Sequence, residues 1–173
     1  TLMVLQRAAE MNLSLPERYA ALLHDLGKAK TPTHILPRHH GHDVAGVAAV
    51  RVVNQRWRVP KHCAELAELV CRWHIIFHSV ANLKPKTVLD TLKKADAFRR
   101  ADRFTSALNV CVADTQGRLG HGQTPYPLLD HWLQLLYAAQ QIVTKTIQVA
   151  TLNTTEQIHA QTDQATLATI VPL

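Results

Sequence analysis

Leu22-Leu23-His24-Asp25-Leu26-Gly27-Lys28 sets an adjacent imidazole and carboxylate between apolar residues and closes on Gly-Lys. Such a pair offers one nitrogen and one oxygen ligand. That mixed set suits borderline divalent ions such as Mn, Ni, Co or Fe, and a carboxylate-rich version of it accepts Mg. The residues just upstream say where the pair sits. Ser14-Leu15-Pro16-Glu17 reads as a capping box, with Ser14 as N-cap and Glu17 reaching back to its backbone N–H. Tyr19, Leu22, Leu23 and Leu26 then recur at helical spacing, and Gly27 can take the left-handed conformation that ends a helix. This reading places His24 and Asp25 in the last turn of a buried helix. Lys28, just past that turn, is either a phosphate contact or a cation complementing the helix dipole.

Outward from this segment the apolar spacing stays helical and no strand is convincing, so the fold class expected is all-α, a compact helical bundle. A helix is under way at Leu2, Leu5 and Ala9 and closes before Asn12. Residues 28–41 form a histidine-rich loop laid over the end of the His24-Asp25 helix. Further helices are expected at about Asp43–Trp57, Pro60–Trp73, Pro85–Ala95, Ala101–Thr115 and Pro127–Ile147, with proline favoured near a helix start because the first turn needs no donor there. Beyond Lys145 no Lys or Arg follows and Thr, Gln and Asn dominate. One domain is therefore expected over 1–147, with 148–173 a polar tail, weakly helical or partly disordered.

Other residues extend the candidate site. Arg38-His39-His40-Gly41-His42-Asp43 carries three histidines within four residues, of which one or two could be metal ligands and the rest orient ligands or meet phosphate. Asp114 ends the apolar stretch Leu108–Ala113, where an unpaired carboxylate is costly and a metal would neutralise it; pairing with Arg118 is the other reading. His74 and His78 share a helical face four residues apart, in a supporting role at the site or a structural one. Lys93, Lys94, Arg99, Arg100 and Arg103 could line an RNA backbone or simply form a solvated face. Trp57, Trp73 and Trp132 read as core.

Composition sets the outer bounds. The 173 residues are 47% hydrophobic and 18% charged, and no apolar run approaches the roughly 18 residues that cross a bilayer. A membrane protein is not expected. Nineteen Lys and Arg against thirteen Asp and Glu give +6, a balance that favours polyanionic partners such as RNA. Cys63, Cys71 and Cys111 lack zinc-site spacing and fit reduced, buried thiols in a cytoplasmic protein. The sequence opens at Thr1 without an initiator Met or a signal pattern, and reads as a portion of a longer protein.

These residues resemble a known family. The motif at 22–28 is similar to the defining motif of the HD superfamily of metal-dependent phosphohydrolases. The closer resemblance is to the C-terminal half of bacterial multifunctional CCA-adding enzymes. It rests on Thr1-Leu2-Met3-Val4-Leu5, Pro37-Arg38-His39-His40-Gly41-His42, Ala45-Gly46-Val47, Arg58-Val59-Pro60, Leu83-Lys84-Pro85-Lys86-Thr87, and Asp114 with Gly117-Arg118. The resemblance implies a divalent metal (Ni, Mn, Co or Mg) on His24, Asp25 and Asp114, with His42 matching a further histidine of the family. Taken with the residue types, His24, Asp25, Lys28 and His42 are the catalytic candidates, and the residue types alone suggest Lys28, Arg38, His39, His40, His74 and Arg118 for phosphate or RNA contact. The activity the resemblance implies is hydrolysis of 2′,3′-cyclic phosphodiesters, 2′-phosphates and other phosphoesters at tRNA 3′ ends or on free nucleotides. The polymerase half would lie upstream. Two departures accompany it: the family's first metal histidine would fall immediately before Thr1, and residues 149–173 lack the glycine motif and basic helix usual there. A non-catalytic tRNA-binding module, or a homodimerisation module, is the alternative expectation.

Overall fold

A computed structural model describes residues 1–150 and 164–167. In it the capping box at Ser14 is formed, the Ser14 backbone N–H donating to the Glu17 carboxylate at 2.7 Å. The other oxygen of Glu17 accepts from the Asn109 side chain at 3.0 Å, so one buried glutamate caps its own helix and ties it to another far along the chain.

Among the described residues seven α-helices follow in order: α1 (Leu2–Glu10), α2 (Leu15–Leu23), α3 (His42–Arg56), α4 (Lys61–Phe77), α5 (Pro85–Lys94), α6 (Ala101–Gln116) and α7 (Leu128–Ala150). Single 3-10 turns occupy Leu26–Lys30, Thr33–Ile35 and Val80–Asn82, and 164–167 form one more helical turn. Among the described residues there is no strand, as the helical spacing requires. Of the polar tail, 148–150 belong to α7; 151–163 and 168–173 lie outside the described residues.

Helix α4 is the spine. It packs on α2, α3 and α6, while α1 bridges α2 and α6. Its apolar residues Leu66, Ala67, Val70, Cys71 and Phe77 are buried. At its end Phe77, Phe104 of α6 and Trp132 of α7 meet edge to face with centroids 5.4–5.8 Å apart, the arrangement their quadrupoles favour. The Trp132 indole N–H donates to the Phe77 carbonyl at 2.9 Å, satisfying one of the carbonyls a helix end leaves free. That bond fixes the C-terminus of α4, where His74 and His78 stand. The helix runs a turn past the Trp73 boundary read from sequence because Phe77 belongs to this aromatic core.

Three expectations are corrected. Helix α2 ends at Leu23, so His24 is its C-cap and Asp25 lies in the turn beyond it, not in the helix's last turn. Gly27 does not adopt a left-handed conformation. Its missing side chain serves packing instead: a Cβ there would sit 1.9 Å from the His42 carbonyl oxygen and 2.8 Å from Gly46 Cα. Trp57 is 69% exposed at the end of α3, whereas Trp132 is fully buried and Trp73 half-buried. The three cysteines are buried and unpaired, as read.

The Gly27 contact is backbone against backbone and cannot relax by rotating a side chain. Gly27→Ala should therefore lower unfolding stability by at least the upper part of the about 1–3 kcal/mol typical of overpacking, measured by urea denaturation. A midpoint equal to the wild type's would mean the turn and α3 do not touch as described.

Candidate metal centre

Four helix ends meet at one place. α2 delivers His24 and Asp25, the start of α3 delivers His42, the end of α4 delivers His74 and His78, and the end of α6 delivers Asp114. Gly41, at φ +72°, makes the left-handed turn that starts α3 and aims His42 inward.

Three of the imidazoles obey one rule. His24 Nδ1 lies 2.8 Å from the Ala21 carbonyl, His42 Nδ1 2.6 Å from that of His39, and His74 Nδ1 3.0 Å from that of Val70. A carbonyl only accepts, so each Nδ1 carries the proton and donates it. In a neutral ring each Nε2 is then a bare lone pair, and all three point at Asp25. His24 Nε2 is 3.3 Å from Asp25 Oδ2, while His42 Nε2 and His74 Nε2 are 3.2 and 3.6 Å from Oδ1. His24 Nε2 also lies 3.4 Å from Asp114 Oδ1 and, being buried, has no hydrogen-bond partner. His42 and His74 set their Nε2 atoms 3.3 Å from each other.

In a metal-free core a buried imidazole nitrogen facing two carboxylates must carry a proton, and a cation can take that proton's place. Metal-bound histidines characteristically donate the other ring N–H to a carbonyl or carboxylate, as these three do. Asp25, His42 and His74 set their ligand atoms within 4.8 Å of one another, and on the other side of Asp25 the His24 Nε2 stands between Asp25 and Asp114, at 3.3 and 3.4 Å. The residues present therefore fit a divalent ion with mixed N/O preference.

The electrostatics agree. Burial opposes charge on His24, but Asp114 and Asp25 outweigh it and hold the imidazole at about 9. Burial likewise opposes ionisation of Asp25 and Asp114. His24 with Lys28 for the first, and His24 with His78 for the second, hold both carboxyls well below the usual carboxylate range. Burial, reinforced by His24, pushes His74 down to about 4.

A cavity of about 470 Å³ opens over these groups, lined by Asp25, Lys28, His42, His74, His78, Asp114 and Arg118 and also by Ile75, Tyr126 and Leu128. Lys28 pairs with Asp25 and Arg118 with Asp114. A neighbouring cavity joins the same two pairs to Thr1, Leu2, Met3 and Val4 at the start of α1.

His24, Asp25, Asp114, His42, Lys28 and Arg118 thus lie together. His74, read from the sequence as a phosphate contact, turns its Nε2 into the donor cluster. Arg38 and His40 are exposed on the loop and do not line the cavity. His39 bonds Thr31 through its ring at 2.8 Å and orients His42 through its carbonyl. Tyr126 had no local pattern to reveal it. His78 shared the four-residue spacing with His74, but nothing in that spacing showed that it would reach Asp114.

The chain belongs to the HD-domain family, whose model matches residues 1–114, a span that ends on Asp114. Among curated proteins it is 66% identical over 175 residues to a Multifunctional CCA protein of Neisseria meningitidis, covering all of this chain and 42% of that protein. It is 65% identical to the protein of the same description from Neisseria gonorrhoeae, covering 43% of it. The Polaromonas naphthalenivorans protein so described is 46% identical over 143 residues, covering 83% of this chain and 34% of that protein. The chain thus spans less than half the length of these relatives. No solved structure matches it. Among the described residues, no helix is long and apolar enough to cross a membrane.

His24 at about 9 holds a proton that a cation must displace, while the two carboxyls are already ionised at neutral pH. Divalent-ion affinity should therefore rise with pH by about tenfold per unit from 7 until it levels near 9. Calorimetry in buffers of differing protonation enthalpy reads the released proton directly. An affinity independent of pH over that range would show that no proton on His24 is displaced by the cation, either because His24 is not a ligand or because its imidazole is already neutral there.

Proposed function

We propose that the chain is a divalent-metal-dependent phosphohydrolase whose substrates are 2′,3′-cyclic phosphodiesters and 2′-phosphates of nucleotides, and which in a longer CCA-type protein acts at tRNA 3′ ends. One observation carries the reading: three histidines with Nδ1 committed to backbone carbonyls aim Nε2 at Asp25, in the floor of a cavity rimmed by Lys28 and Arg118. The family membership and the named relatives support it.

When bound, a divalent cation supplies Lewis acidity at a phosphoryl oxygen and acidifies water at neutral pH. The chain's own residues do the rest. His24, Asp25 and Asp114 hold the cation, and His42 and His74 remain on the cavity wall. Of these two, His42 is the more exposed, 10% against 5%, and its bare Nε2 is the imidazole nitrogen able to take a proton from the attacking water and return it to a leaving oxygen. Lys28 and Arg118, 41% and 64% exposed, can swing to meet the equatorial oxygens as charge builds there. The apolar residues lining the cavity, Ile75 and Leu128, keep a nucleoside out of water and the phosphate facing the donors.

The deciding assay follows AMP release from 2′,3′-cyclic AMP with added Ni, Mn, Co or Mg, each with and without chelator. Metal-dependent release abolished by the chelator is expected. Asp25→Asn removes the carboxylate that His24, His42 and His74 all face and should abolish turnover while leaving the helical circular dichroism spectrum unchanged. Turnover retained in that variant would refute the assignment.

A further inference from the structure

His78 breaks the rule the other three imidazoles obey: neither of its ring nitrogens goes to a backbone carbonyl. Nε2 lies 2.9 Å from Asp114 Oδ2, and Nδ1 lies 2.9 Å from the Tyr126 hydroxyl. An ionised carboxylate can only accept, so Nε2 carries the proton. A neutral ring then leaves Nδ1 bare, and the Tyr126 O–H must donate to it. The carboxylate end fixes the proton on Nε2, a neutral ring then sets the Tyr126 proton toward Nδ1, and the Cys111 thiol is the other group at the Tyr126 hydroxyl.

Both ends of this chain are anchored. The Tyr126 ring stands edge-on to His78, centroids 5.5 Å apart at 89°. The segment carrying Tyr126 is tied to α6 by the Gln116 side-chain amide donating to the Thr124 carbonyl at 3.0 Å. His78 follows Phe77, whose carbonyl the Trp132 indole holds. At Asp114 the effect is asymmetric. Oδ2 takes His78 and, at 3.4 Å, Arg118, whereas Oδ1 faces the orphaned Nε2 of His24.

We propose that Tyr126 and His78 are positioning residues for Asp114: their hydrogen-bond chain occupies Oδ2 and so presents Oδ1, beside His24 Nε2, as the oxygen available to a cation. This rests on the reading of Asp114 as a metal ligand. It makes the segment between α6 and α7, outside the donor set, a determinant of cation affinity. Groups that orient ligands in this way are typically worth about 10- to 100-fold in metal affinity.

The test has two readouts, neither of them turnover. Nitrogen NMR of the metal-free chain identifies which ring nitrogen of His78 is protonated, and the proton is expected on Nε2 in the wild type and, because Asp114 fixes it, in Tyr126→Phe as well. Calorimetry with Mn²⁺, and the visible spectrum of bound Co²⁺, should show Tyr126→Phe and His78→Ala binding about tenfold more weakly with an altered spectrum. His78→Gln, whose side-chain amide can still donate to Asp114, should recover most of the loss. Wild-type His78 with its proton on Nδ1 and none on Nε2 would overturn the proposal, as would wild-type affinity and spectrum in both Tyr126→Phe and His78→Ala. A wild-type chain that binds no cation would instead overturn the metal reading itself, and the tautomer would still report whether the hydrogen-bond chain is as described.

Discussion

The site depends on one contact between two stretches of backbone. The 3-10 turn over Leu26–Lys30 lies directly on the first turns of α3, with Gly27 against the His42 carbonyl and Gly46. A Cβ at Gly46 would in turn stand 2.6 Å from Cys71 Sγ on α4. Three segments therefore approach more closely than side chains would permit. The 3.2 Å from Asp25 Oδ1 to His42 Nε2 and the 3.6 Å to His74 Nε2 are consequences of that approach. Were α3 held away by a methyl group, His42 would leave the cluster first, since it enters from the turn that Gly27 touches.

Given that approach, the protein must settle several buried ionisable groups in a small volume. Burial disfavours charge on each of them. The structure answers by committing every Nδ1 of His24, His42 and His74 to a helix or loop carbonyl, so that no ring can turn to satisfy Nε2 locally. What remains is a concentration of lone pairs around two carboxylates, relieved without a metal by a proton on His24 and by Lys28 and Arg118. Polar groups left this poorly satisfied are uncommon in cores unless they serve a ligand.

How much of this was legible beforehand follows the range of the interactions. The Ser14 capping box, the helix order and the importance of the 22–28 motif are local patterns, and local patterns survive in sequence. Gly27 was read as a helix terminator because glycine's usual role is local, yet here it answers to a residue nineteen positions on, which no spacing rule reports. Trp57 was read as core from its period, but period locates a face of the helix and not whether anything covers that face. His74 and His78 could be paired by their four-residue spacing, while their separate fates, one facing Asp25 and the other Asp114, depend on where α2 and α6 end. Tyr126 is a lone aromatic between two prolines, and only the folded chain brings its hydroxyl to His78.

Charge explains why Lys28 and Arg118 belong to the same design as the donors. Without a metal, the two negative charges of Asp25 and Asp114 are offset by the proton on His24 and by the two cations at the cavity rim, Lys28 and Arg118. A divalent ion on the donors would carry that compensation itself. Lys28 and Arg118 would then hold two positive charges with no internal claim on them, at the rim of a cavity open to solvent. A phosphate group entering there meets cations that had been engaged by the carboxylates. On the proposed reading the same pair would serve the metal-free fold and then the anion site once a metal is bound, because a partly exposed ion pair is worth only about 0–1 kcal/mol and is readily exchanged. Full burial of Lys28 or Arg118 would have removed that freedom, and it is their exposure, together with the rigid commitment of every histidine beneath them, that separates the mobile part of the site from the fixed one.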